Sequence, residues 1–398
     1  MPTPAADKKK SISTGMMLLL AAACGLIVAN LYYSQTLVGP ISAGLGLPSG
    51  AAGLIVTLTQ VGYVIGLLFI VPLSDMLENR RLVVTALIVV VLALAGAAFS
   101  TGSAMFLTAS LLIGSGSVVA QILVPLAAFL STEEQRGRVV GNVMSGLLLG
   151  IMLARPVASL LAGLWGWKTI FVVSAVLMAL LALVLARVLP VRRPNKSLSY
   201  GGLVASLLAL FKQTPILRRR AFYQACLFGA FSLFWTTVPL HLADEYGLSQ
   251  QSIALFAFVG VAGAIAAPIA GRLADRDWSR PLTMGAILLA TLSFLVIALL
   301  HGHSTFSLVL LFVTAITLDM AVSGNLVVSQ RAIYALGNET RGRLNGLFMA
   351  IFFMGGAAGS FLGGLTYAHG GWSLSAWIGV LFPLLALLYF LTELRSKR

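Results

Sequence analysis

The chain has 398 residues, 59% hydrophobic and 10% charged; a soluble protein would carry about a quarter charged residues, so a soluble globular fold is excluded. The formal net charge of +14 looks like a nucleic-acid-binding balance, but its distribution excludes that partner. The basic clusters Lys8–Lys10, Arg80–Arg81, Arg136–Arg138, Arg187–Arg220, Arg272–Arg280, Arg331–Arg343 and Arg395–Arg398 fall at every second junction between apolar runs, and only Arg155 and Lys168 stand outside them. This positive-inside pattern predicts a multi-pass plasma-membrane protein, in a bacterium the inner membrane, with both termini cytoplasmic.

Six apolar runs of spanning length come first, over about Thr14–Leu37, Ala51–Pro72, Leu82–Ser100, Met105–Leu130, Arg136–Gly163 and Thr169–Leu189. No small-residue cleavage site follows the first, so it reads as a retained helix. A basic segment follows, in which Leu203, Val204, Leu207, Leu208, Leu210 and Phe211 predict a surface helix on the cytoplasmic leaflet. Six more runs follow, near Ala221–Leu242, Ser252–Leu273, Leu282–Leu300, Phe306–Ala332, Leu344–Tyr367 and Leu374–Leu394. The expected fold is all-α and integral to the membrane: twelve transmembrane helices in two pseudo-symmetric six-helix bundles, residues 1–190 and 220–398, joined by a linker over 191–219. A duplication is visible directly. Glu134, Arg136, Gly137, Arg138 and Gly141 match Glu339, Arg341, Gly342, Arg343 and Gly346 at an offset of 205, which also pairs Gly150 with Gly355 and Trp167 with Trp372.

Between the second and third runs lies Pro72-Leu-Ser-Asp75-Met-Leu-Glu78-Asn-Arg80-Arg81, echoed by Gly271-Arg-Leu-Ala-Asp275-Arg276 in the second half. With twelve helices in a 6+6 repeat, these loops resemble the signature of the major facilitator superfamily across essentially the whole chain. The resemblance implies alternating access, with a cytoplasmic latch carried here by Asp75, Arg80, Arg81, Arg138, Asp275, Arg276 and Arg341. Positive-inside charge alone would account for Arg80 and Arg81 but not for Asp75 at a helix end. Pro72 and Glu78 stand where the family usually has glycines. In the fourth helix Ser110 occupies the place of the proton-coupling arginine of related proteins. The fifth helix resembles the family's antiporter signature in Gly146, Gly150 and Pro156, which read as helix-packing positions whose small residues let this helix approach the other half closely, but Arg155 replaces the glycine before the proline.

Arg155 and Asp319 are the two charges that matter most. A guanidinium stays protonated and costs ~2.5 kcal/mol or more at bilayer depth, so Arg155 requires a partner or a water-filled cavity. Asp319 is the only carboxylate deep in an apolar run, and the repeat pairs Arg155 with Ser360 and Asp319 with Gly114. The expectation is an ion pair between the halves that serves proton coupling; a static pair and direct binding of an anion by Arg155 are the alternatives. By the resemblance, the first, fourth, seventh and tenth helices line the cavity, which proposes Asn30, Tyr33, Gln35, Gln121, Phe231, Trp235, Asn325 and Gln330 as its lining. Tyr32 fits an interfacial aromatic belt. His241, His301, His303 and His369 fall at outer ends and read as solvated loop residues. Cys24 and Cys226 read as small core residues.

No phosphate-binding loop, nucleophile elbow or zinc-binding His pair occurs, so no cofactor, metal or enzymatic role is expected. The partners expected are the lipid bilayer, a small-molecule substrate and protons, with a monomeric chain. The function expected is proton-coupled efflux of a small organic compound. Proton-linked uptake or uniport of an anionic metabolite, and a non-transporting membrane sensor, are the other readings.

Overall fold

The computed structural model describes residues 12–193, 199–260, 266, 269–273, 278–299, 302, 304–337 and 340–395. Among the described residues the chain is helical throughout, without strands. The helices are α1 (Thr14–Ala29), α2 (Val38–Leu45), α3 (Leu54–Ile65), α4 (Asn79–Ala98), α5 (Ser103–Gly116), α6 (Val119–Leu130), α7 (Glu133–Trp165), α8 (Lys168–Val188), α9 (Tyr200–Gln213), α10 (Pro215–Asp244), α11 (Gln250–Ala257), α12 (Ser279–Leu299), α13 (Thr305–Tyr334) and α14 (Arg341–Arg395). Among them are nine stretches long and apolar enough to cross a membrane. The last contains two spans, because Gly370 and Gly371 leave helical geometry and Gly371 takes a φ of 62° that favours glycine. Helix is the form such sequences must take in lipid, since it satisfies the backbone within one segment.

The helix ends have local causes. Ser13, Ser199, Ser249 and Ser304 cap α1, α9, α11 and α13, each side chain accepting from an amide three residues on. Two expected continuous runs are interrupted. The first run breaks at Asn30, whose Nδ2 donates to the carbonyls of Leu26 and Ile27 and ends α1. The fourth breaks at Ser117 between α5 and α6, where the Ser115 and Ser117 hydroxyls bond back to Leu112 and Ile113. Lys168, outside the basic pattern, donates to the Ser100 carbonyl just beyond α4 at 3.0 Å.

The duplication appears in three dimensions as a repeated glycine crossing. A Cβ on Gly146 or Gly150 of α7 would strike the backbone of Ala21 or Gly25 on α1. A Cβ on Gly355 or Gly359 of α14 would strike Ala225 or Gly229 on α10 in the same manner. The α7 glycines were expected to bring this helix against the other half; they serve packing within their own half.

The two halves of the chain meet mainly at the end away from the arginine clusters, here called the far end. There Gly53, ahead of α3, touches Ser360 and Gly364 of α14, and Thr57 donates to the Ala357 carbonyl at 3.3 Å. The second far-end seam lies between α7 and α11. At the opposite, basic end the halves diverge around a cavity of about 260 Å³ whose lining includes Asp75, Asn79, Gln121, Leu207, Arg343 and Asn345. Helix α9 crosses this mouth: the Tyr200 hydroxyl donates to the Phe69 carbonyl at 3.0 Å, and Arg343 donates to Ser206 at 3.0 Å. Leu203 and Leu207 are buried, whereas Leu208 is 64% exposed. The apolar stripe expected to lie on lipid is therefore partly spent on the protein.

Candidate functional site

The two deep charges meet in the middle of the molecule. Arg155 precedes Pro156 on α7, and Asp319 lies on α13, which runs the other way. Arg155 Nη2 lies 3.7 Å from Asp319 Oδ1, and both side chains are buried. Trp235 of α10 holds both: its indole Nε1 donates to Asp319 Oδ2 at 3.3 Å, and its ring lies 4.0 Å from Arg155 Cζ. A polar edge thus faces the acid and a π face the cation. The rings of Phe231 and Tyr32 lie 5.0 and 6.0 Å from the guanidinium carbon. Behind it is Gly260, where a Cβ would come within 3.4 Å of Nη2. Tyr32 is buried here and not in an interfacial belt.

The pair leaves polar capacity unused. Arg155 Nε and Nη1 have no hydrogen-bond partner among the described residues, and neither do both amide atoms of Gln35. Gln35 lies in the one-turn 3₁₀ segment Tyr33–Thr36, three residues after Tyr32. The Thr36 hydroxyl donates to the Arg155 carbonyl at 3.3 Å. Breaking such a buried pair by deleting one member costs ~3–5 kcal/mol, because it strands the other charge.

Toward the basic end, buried amides and aromatic rings follow. Gln60 of α3 donates across the halves to Ser232 at 3.1 Å. Asn325 donates to Gln224 at 2.6 Å, and Gln224 to the Val322 carbonyl at 3.1 Å. The Phe228 and Phe352 rings stack at 3.8 Å, and Tyr63 lies 4.5 Å from Phe353.

The expected cavity lining separates into distinct places. Phe231 and Trp235 surround the ion pair, and Gln121 lines the basic-end cavity. Asn325 is in the buried amide chain. Asn30 is turned to α8, where its Oδ1 accepts from Ser174 at 2.6 Å, and Tyr33 is buried beside it in sequence. Gln330 donates to Asn345 at 3.2 Å and borders a separate open depression with Tyr334 and Arg341.

Among the described residues no ion pair joins two of the expected latch residues. Asp75 shares the basic-end cavity with Gly342 and Arg343 yet has no ion-pair partner among the described residues. Arg81 and Arg193 instead approach Glu78 at 3.5 and 3.7 Å. Arg80 makes none of the described ion pairs, Arg138 is exposed, and Arg341 donates to the Tyr334 carbonyl at 3.0 Å. Asp275 and Arg276, with His301 and His303, lie outside the described residues. Of the other histidines, His369 is exposed as expected; His241 is not solvated but buried, stacked on Trp372 at 4.4 Å.

Glu78, Gln60, Gln224 and Trp235's double contact were not anticipated. Gln60 and Gln224 did carry a signal, as amides inside lipid-length apolar runs. Trp235 was expected in the cavity, but its double contact and the Glu78–Arg193 pair carried no signal, because each depends on a neighbour from elsewhere in the chain.

Comparison with known proteins agrees with this architecture. The family profile described as Major Facilitator Superfamily matches residues 18–338. The chain is 42% identical over 378 residues, 95% of each chain, to "Uncharacterized transporter YgaY" of Escherichia coli O157:H7. It is 25% identical over 252 residues, 62% of this chain and 60% of the other, to "Chloramphenicol efflux pump MT0201" of Mycobacterium tuberculosis strain CDC 1551. The crystal structure of a bacterial homologue of the human lysosomal transporter Spinster, inward-facing and occupied, superposes with a TM-score of 0.78 at 14% identity, covering 96% of this chain and 97% of the other. With its helical repeat, its two halves meeting at one end and this profile match, the chain belongs to the Major Facilitator Superfamily of transporters.

Proposed function

We propose that this protein is a proton-coupled secondary transporter that exports a small organic compound by alternating access, with Asp319 as the proton carrier and Arg155 as its counter-ion. The buried Arg155–Asp319 pair between α7 and α13 carries this reading. Intramembrane charges are costly and accordingly tied to function, and the repeat provides neither charge in the equivalent position of the other half. The efflux pump among the relatives supports the direction. The bundles 1–190 and 220–398 are the moving bodies, 191–219 is their linker, and the basic end faces the cytoplasm of a bacterial inner membrane. The described conformation is then closed outside and open toward the cytoplasm.

The mechanism follows from the pair. Ionised Asp319 ties α13 to α7 through Arg155 and to α10 through Trp235. Protonation cancels the carboxylate charge, frees Arg155 and weakens the tie between the halves. Release of the proton restores it. The decisive measurement is flux in proteoliposomes under an imposed pH gradient, with chloramphenicol as the first probe. Asp319→Asn should abolish gradient-driven accumulation while leaving slow exchange. Wild-type accumulation by Asp319→Asn would overturn the proton-carrier role, and absence of flux for any compound the protein binds would favour a sensor.

A second reading has its own observation. Arg155 retains two buried donors, Nε and Nη1, without a hydrogen-bond partner among the described residues, and each can take an acceptor of its own. An anion seated there would favour protonated Asp319, so proton and substrate would move together. The sign of coupling separates the readings: an exporter moves substrate against the inward proton flow, whereas this symporter moves the anion with it.

A further inference from the structure

The far-end seam between α7 and α11 is joined by an amide knot one helical turn from the ion pair. Gln250 opens α11, and its Nε2 donates to the Thr36 carbonyl at 2.8 Å and to the Ser159 hydroxyl at 2.6 Å. The Ser159 hydroxyl donates back to the Gln250 carbonyl at 3.1 Å. One residue of the second half is thereby bonded to two separate elements of the first. Gln251 adds a bond from its Nε2 to the Gly163 carbonyl at 2.8 Å. Gly163 makes room for it, since a Cβ there would lie 2.8 Å from Gln251 Cδ.

Two observations connect the knot to the charges. Ser159 follows Arg155 by four residues, hence one turn along the same face of α7. Thr36, which accepts from Gln250 with its carbonyl, donates its hydroxyl to the Arg155 carbonyl. The other far-end seam differs in kind: Gly53 meets Ser360 and Gly364 by backbone contact, with the single bond from Thr57 to Ala357 nearby. Bare glycine contact parts without breaking a side-chain hydrogen bond, whereas the α7–α11 seam opens only when the Gln250 amide gives up both acceptors.

We infer that Gln250 is the lock that holds the outer side shut, and that Thr36 is the positioning residue that transmits the state of the Arg155–Asp319 pair to it. The lock stands on the hydrogen bonds alone; the transmission rests on the coupling role proposed above for the pair.

The test is a pulsed electron–electron distance measurement on the full protein in nanodiscs. Spin labels are placed at Thr101→Cys and Ala243→Cys, both exposed, with Cys24 and Cys226 replaced by alanine. Gln250→Leu should raise the population of the longer distance about tenfold, the effect of roughly one net hydrogen bond of that strength. Gln250→Asn, whose shorter amide does not reach Thr36, should move it the same way and guards against a folding defect in the leucine variant. An unchanged distribution in folded Gln250→Asn overturns the lock. For transmission, Asp319→Asn should lengthen the distance, and Thr36→Val, which keeps the carbonyl but loses the hydroxyl, should cancel that response. A full response in the double variant overturns the link. No response to Asp319→Asn with an intact Gln250 effect overturns the coupling role and the link together, leaving the lock standing.

Discussion

At the scale of single residues, the energetics of the site turn on one indole. Trp235 bonds Asp319 with its edge and covers Arg155 with its face, so neither charge is held by the other alone. A separation of 3.7 Å makes the pair a charge contact longer than a good hydrogen bond. Such a pair is weak evidence of stabilisation, but deleting half of it strands a buried charge. Arg155→Ala is therefore expected to destabilise the protein by ~3–5 kcal/mol, and Arg155→Ala with Asp319→Ala by clearly less than the sum of the single variants. Thermal melting in detergent gives the comparison; additive losses would show that the two charges do not interact. Arg155 and Asp319 were legible from the sequence because a charge inside an apolar run has few explanations. Trp235's role was not, because an aromatic residue on a helix carries no mark of what its N–H will meet. Gln250 and Thr36 were equally silent, since an amide at a helix start reads as a loop residue until its acceptors arrive from another part of the fold.

At the scale of elements, the glycines decide how closely helices approach. Gly25, Gly146 and Gly150 bring α1 onto α7, and Gly229, Gly355 and Gly359 bring α10 onto α14, so that Cβ atoms at these crossings would overlap backbone, or at Gly229 the Phe382 ring of α14. Close approach through small residues is the main source of helix association in lipid. Gly150→Val and Gly359→Val should each prevent recovery of folded protein or lower its stability by ~1–3 kcal/mol or more, as overpacking does. Gly141, also inside α7, has open space around it; Gly141→Ala should be neutral or stabilising by up to ~1 kcal/mol through helix propensity. Size-exclusion recovery and melting of the three variants test the contrast, and equal damage from all three would refute the crossing as its cause. The repeat offset exposed the spacing of these glycines, but sequence does not say which neighbour they meet; the expected contact with the other half is a contact within each half. The breaks at Asn30 and Ser117 escaped the reading for a related reason. Neither is Gly or Pro, and each interruption comes from side chains bonding back to carbonyls of the preceding turn.

At the scale of the molecule, closure at one end and divergence at the other define the state, and the basic end shows what the reverse state requires. Asp75 faces the N-terminal turn of α14 across a cavity of about 260 Å³, while Arg343 from that turn is bonded to Ser206 on α9. Collapse of the cavity would bring Asp75 to a helix N-terminus and a guanidinium, both of which favour a carboxylate. Arg343 would then exchange a neutral hydroxyl on the linker helix for a charge on the opposite half. Two substitutions should therefore act in opposite directions. Asp75→Asn removes the partner needed for closure and should enrich the present, basic-end-open state. Ser206→Ala releases Arg343 and should deplete it. Each shift should be up to about fivefold, matching the ~0.2–1 kcal/mol of an exposed pair, and should shrink in high salt for Asp75→Asn but not for Ser206→Ala. Distances between spin labels on the basic ends of α4 and α12 provide the readout. Shifts of the same sign would mean that Arg343 does not alternate between α9 and Asp75, and that the strap across the mouth is only a tether between the halves.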